Sequence, residues 1–115
     1  MKFLGLRTVI YPAPDLEATK QWYINATGVH PYFDEPFYVG FNIGGYELGL
    51  DPNSDQSLTY WGVENIDEAW SYLLSTGAAA FQEIQDVGGG IRVATVKDPM
   101  GNVFGIIENP HFVIQ

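Results

Sequence analysis

The strongest constraint in this chain is a pattern stated twice. Asp15-Leu16 opens one apolar-periodic segment and Asn65-Ile66 opens another, while Thr27-Gly28 and Thr76-Gly77 close them, about fifty residues apart in both comparisons. Leu16, Thr19, Trp22, Tyr23 and Ala26 make one helical stripe; Ile66, Ala69, Trp70, Leu73 and Leu74 make the other. Asp15 and Asn65 are N-cap types, Glu68 completes a capping-box pair with Asn65, and Gly28 suits the position just past a helix end. Around each helix lie strand-type runs. In the first half these are Phe3–Tyr11, Val29–Phe33, Phe37–Ile43 and Tyr46–Leu50, with Gly44-Gly45 as a two-residue hairpin turn. In the second half they are Leu58–Val63, Ala79–Ile84, Ile91–Lys97 and Val103–Ile107. The order is β-α-β-β-β, twice, joined by the polar stretch Asp51–Ser57. One such unit cannot cover both faces of its sheet, so the halves are expected to form one domain, with module 1 at about 1–52 and module 2 at about 58–110.

Composition narrows the function. The chain has 115 residues, with 5 Lys plus Arg against 14 Asp plus Glu and a net charge of -9. Nucleic acid is therefore a poor partner, because binding it requires phosphate neutralisation. A cationic ligand is compatible. Cysteine is absent, which removes disulfides and thiolate metal sites. No apolar run approaches ~18 residues and no cationic start precedes an apolar one, so neither membrane nor signal peptide is expected and the cytoplasm is the default location. Ser54, Ser57, Ser71 and Ser75 lack a nucleophile-elbow setting, and Asp34-Glu35 are adjacent, so they would not face the same way in a strand.

The stretch Asp98-Pro99-Met100-Gly101-Asn102-Val103-Phe104-Gly105-Ile106-Ile107-Glu108 reads as a tight turn entering a strand. Its wording resembles a signature of the vicinal oxygen chelate superfamily, which includes glyoxalases, extradiol dioxygenases, fosfomycin-inactivating enzymes and bleomycin-binding resistance proteins. With the repeat, the resemblance covers nearly the whole chain. It implies an α+β fold in which two tandem βαβββ modules form a cupped mixed sheet with helices on the convex face.

The resemblance also implies where a metal would sit. The family's ligand positions, carried over one at a time, fall on Thr8, Glu47, Leu58 and Gly105. One of the four is a strong ligand, whereas a catalytic divalent site usually takes about three. His30 and His111 fall on none of these positions, and strand alternation turns Glu108 away from the face of Gly105.

Alternation further places Leu6, Thr8 and Ile10, then Leu58, Tyr60 and Gly62, then Val103, Gly105 and Ile107 on the concave face. Val9, Tyr11, Trp61, Val63, Phe104 and Ile106 should pack under the helices. The inward set is an apolar wall with few polar groups, the usual makeup of a small-molecule site. The alternative is that these residues fill a small closed core. The candidate ligand-binding residues are Thr8, Ile10, Glu47, Leu58, Tyr60, Arg92, Val103 and Gly105. Glu47 would accept from a cation or donor, or else face solvent or pair with Arg92. The face of Arg92 is open at this stage, because the Gly88-Gly89-Gly90 break blurs the register. Tyr32, Phe33, Phe37, Tyr38 and Phe41 form an aromatic cluster that is core-like or closes the cup.

By resemblance the leading expectation is a metal-free, small-molecule-binding protein similar to the bleomycin-resistance branch, acting as a homodimer to which the apolar tail His111–Ile114 contributes. The alternatives are a lyase or dioxygenase dependent on a divalent metal, which would need His30 or His111 to join Glu47, and a protein-interaction module.

Overall fold

A computed structural model describes residues 2–112. The elements follow the doubled order: β1 (Phe3–Pro12), α1 (Leu16–Thr27), β2 (Phe33–Glu35), β3 (Tyr38–Ile43), β4 (Tyr46–Asp51), β5 (Leu58–Val63), α2 (Ile66–Ser75), β6 (Ala79–Asp86), β7 (Arg92–Lys97) and β8 (Val103–Glu108). Pairing is mixed: β1 with β4 and β5 with β8 are parallel, the remaining described pairs antiparallel. The tail residues Val113 and Ile114, part of the expected dimer contact, lie outside the described residues.

The chain forms two compact units. The first comprises residues 8–58, with strand order β2-β3-β4-β1. Helix α1 is capped by Asp15, whose carboxylate accepts from Ala18 N–H, and it ends at Gly28 in the left-handed region, φ 73°. Of its expected stripe only Leu16 and Tyr23, with Ile24, pack on a core of Ala13, Val39, Phe41 and Leu50, beside Val29 and Leu48; Trp22 and Ala26 of that stripe are exposed. Phe41, part of the aromatic cluster, is therefore core. The expected strand Val29–Phe33 is not formed. Pro31 lacks an N–H, Val29 is drawn into the helix-side core, and pairing starts only with Tyr32 N–H donating to Gly40 O at 2.9 Å.

The second unit comprises residues 59–112 together with 2–7 and has strand order β5-β8-β7-β6. Phe3 meets Phe104 edge-to-face at 5.8 Å, and Arg7 stacks on the Phe112 ring at 3.7 Å while lying against Gly62, which gives residues 2–7 their place in this unit. The core is Val63, Ile66, Ala69, Ala94 and Ile106, flanked by Phe3, Trp70, Leu73, Ile84 and Phe104. Asn65 caps α2 through Glu68 N–H, as its sequence suggests.

The turn before β8 is built by Asp98. One carboxylate oxygen accepts from Met100 N–H at 2.9 Å and Asn102 N–H at 2.8 Å, and the other accepts from the Asn102 amide at 2.8 Å. Gly101 supplies the positive φ, 89°; Asn102 does not need one.

Candidate functional site

In the first unit the register fixes which residues share the face turned away from α1. Thr8 lies opposite Glu47 and Ile10 opposite Gly49 across β1 and β4; Gly49 lies opposite Gly40, and Gly40 opposite Phe33. Val9, Tyr11, Leu48 and Leu50 alternate to the helix side, where Tyr11 meets the Tyr23 ring at 6.0 Å.

Glu47 is the centre of this face. It is half-buried, and its two oxygens are taken separately. The buried Thr8 hydroxyl donates to Oε1 at 3.2 Å, and the Tyr32 hydroxyl donates to Oε2 in a short hydrogen bond. Among the described residues, Glu47 is met by two hydroxyls and by no ammonium or guanidinium. The Tyr32 phenol is pushed above its usual range, first by partial desolvation and then by Glu47, so it remains a donor.

Two strand glycines let aromatic rings lie flat on this face. A Cβ at Gly40 would sit 2.9 Å from Tyr32 Cε1 and 3.0 Å from Glu47 Oε2. A Cβ at Gly49 would collide with the Tyr38 hydroxyl. Phe33 continues the aromatic surface, 6.1 Å from Tyr38 and 5.9 Å from Phe37 between centroids. The sequence marks Tyr32 and Tyr38 as aromatic but not as site residues. The available signal is a pair of glycines inside adjacent strands, which marks a close approach.

In the second unit Tyr60 lies opposite Gly105 across β5 and β8. Val103 is two residues along β8, on the same face; Leu58, which starts β5, is the last residue of the first unit. Thr95, opposite Gly105 on β7, donates to Gln82 Oε1 at 3.2 Å. Thr8, Ile10 and Glu47 are thus brought together in one unit, and Tyr60, Val103 and Gly105 in the other.

Arg92 departs from the expected set. Its register partner is Glu108 and it lies on the helix side, because β7 and β8 alternate Ala94 and Ile106 into the α2 core from the same positions. It binds Glu108 at 3.2 Å and Asp67 on α2 at 3.1 Å. Asp67 first, then Glu108, raises its pKa further. Arg92 is a structural cation and not a ligand-face residue, nor is it the partner of Glu47.

A divalent metal does not fit these donors. Thr8 and Glu47 offer one carboxylate already holding two O–H donors. Leu58 has no donor atom. Gly105 could not carry one, because a Cβ there would collide with the Thr59 carbonyl and sit 2.7 Å from the Tyr60 ring. His111 Nε2 is taken up by Gly89 O at 2.7 Å, and His30 is exposed. Among the described residues no three His, Cys, Asp or Glu side chains gather. A shallow hollow on α1 at Ala18, Thr19, Trp22 and Tyr23 lies on the helix side and contains no charged group.

Two capped βαβββ units define the α+β class to which glyoxalases and bleomycin resistance proteins belong. The match is specific: residues 5–106 fit the sequence profile of the Glyoxalase/Bleomycin resistance protein/Dioxygenase superfamily, and the chain belongs to that family. No curated protein sequence matches it. Among solved structures it is similar to Streptomyces coelicolor methylmalonyl-CoA epimerase in complex with 2-nitronate-propionyl-CoA, at 14% identity over 99% of this chain and 100% of that one, TM-score 0.79. A superfamily member from Vibrio splendidus gives 14% identity over 90% and 97%, TM-score 0.71. The Mn(II)-bound glyoxalase from Novosphingobium aromaticivorans gives 18% identity over 93% of this chain and 39% of that one, TM-score 0.75. At these identities the likeness is one of fold.

Proposed function

We propose that this chain is a small-molecule-binding protein that works without a bound metal, similar to the bleomycin-resistance branch of its superfamily. The observation that carries the reading is the Glu47 carboxylate, held by Thr8 and Tyr32 on a sheet face floored by Gly40 and Gly49. It has the composition of a ligand site: an apolar and aromatic wall with a few oriented polar groups. A carboxylate has about four acceptor positions, and two are in use, which leaves capacity for a ligand donor. Action as a homodimer belongs to the same proposal and rests on the resemblance, and a cytoplasmic location, proposed with it, rests on the hydropathy pattern; sedimentation of the purified chain tests the dimer.

Metal content and melting temperature test the reading. A metal present at a hundred times its Kd would stabilise by about 2.7 kcal/mol, on the order of 10 °C for a chain of this size. We expect no stoichiometric ion after purification without chelator, and no such shift with Zn²⁺, Ni²⁺, Mn²⁺ or Fe²⁺. A bound ion with that shift overturns the metal-free reading in favour of a metal-dependent enzyme.

A further inference from the structure

Among the described residues, Glu47 meets no cation on its aromatic face. Tyr32 and Thr8 satisfy it as hydrogen-bond donors, but neither neutralises it. The other charges of its own unit do not neutralise it either. Between residues 8 and 58 the chain has seven carboxylates and one lysine, and that lysine, Lys20, is held by Glu17 at 2.9 Å and Asp34 at 3.1 Å. The rings beside the carboxylate lie on neighbouring strand glycines of one face. Tyr32 lies over Gly40 next to Glu47 Oε2, Gly40 pairs with Gly49, Tyr38 lies against Gly49, and Phe33 touches Tyr38 and Phe37. Tyr32 and Phe37 are 62% and 61% exposed, so ring surface is open to a ligand. Aromatic faces attract cations through their quadrupole, and more strongly where water is displaced.

Resting on the small-molecule reading above, we infer that the ligand of this face is an organic cation, an amine or quaternary ammonium attached to an apolar group, with its charge at Glu47 and its apolar part on the Tyr32, Tyr38 and Phe33 surface. Anionic ligands are disfavoured by the same carboxylates. A neutral ligand would leave Glu47 uncompensated and would gain nothing from the charge of the unit.

The probes are benzyltrimethylammonium, benzyl alcohol and benzoate, titrated by calorimetry while the Gly40 and Gly49 amide signals are followed by NMR. We expect benzyltrimethylammonium to shift both amides and to bind at least about tenfold more tightly than benzyl alcohol, the size of one charge-assisted contact. Benzoate should not bind. Glu47→Gln should bring the cation down to the affinity of the alcohol, whereas Asp55→Asn, in the polar connector, should leave it unchanged. Rising salt should weaken the cation alone. If Glu47→Gln fails to fold, Tyr32→Ala carries the test, because removing the ring while keeping the carboxylate should lower cation affinity. Equal affinity of alcohol and cation at these amides, or cation binding indifferent to both substitutions, overturns the cation assignment and leaves the small-molecule reading standing. Failure of all three probes to move either amide overturns the cation assignment and counts against a ligand face at Glu47.

Discussion

At the scale of residues, the candidate face depends as much on missing side chains as on those present. Tyr38 occupies the space that a Cβ on Gly49 would fill. Gly49→Ala should therefore displace the ring or push β4 from its neighbours, costing about 1–3 kcal/mol by overpacking. Chemical denaturation measures the cost, and an unchanged midpoint would mean that Tyr38 moves freely. Glu47 was legible in the sequence because the resemblance singles out its position, and Thr8 followed from the same alignment. Tyr32 as partner was not legible. It precedes β2, where neither a period of two nor one of 3.6 says which way a side chain points. Arg92 could be placed only once β7 was paired with β8, since a shift of one residue exchanges the two faces.

At the scale of elements, the last strand holds its unit together from both ends. At its start, Asp98 organises the turn. Its carboxyl is held below the ordinary carboxylate range, first by the Asn102 side chain and then by backbone N–H groups. A depressed carboxylate contributes stability that is present above its unfolded pKa, near 3.8, and is lost as pH falls through the lower folded value. Asp98→Asn should thus flatten the acid limb of a melting-temperature profile below about pH 4 and leave the slope near neutrality unchanged. At the far end, Glu108 accepts from the Ile66 N–H at 3.0 Å while binding Arg92, which in turn binds Asp67. This tertiary cap on α2 supplements Asn65 and was invisible in the sequence, because it joins residues 42 apart. Glu108→Ala strips the cap and leaves a part-buried guanidinium short of a partner, and should cost about 1–3 kcal/mol. A double-mutant cycle with Arg92→Met separates the two effects.

At the scale of the whole molecule, the doubled order of elements and both helix starts were readable because capping chemistry and the 3.6-residue period are local signals. The allocation of residues 2–7 to the second unit was not, since it rests on Phe3 with Phe104 and Arg7 with Phe112, contacts about a hundred residues apart in the chain. Each unit has its own core, one around Phe41 and Leu50, the other around Ile66 and Ile106. Leu50→Ala and Ile106→Val should therefore destabilise additively, within about 0.5 kcal/mol, in equilibrium unfolding. Larger coupling would show that the cores respond as one. Separate cores also have a consequence for descent. Substitutions on the ligand-facing side of one unit leave the hydrophobic ground of the other untouched. Redundancy of this kind lets a working surface be rewritten while the framework beneath it stands.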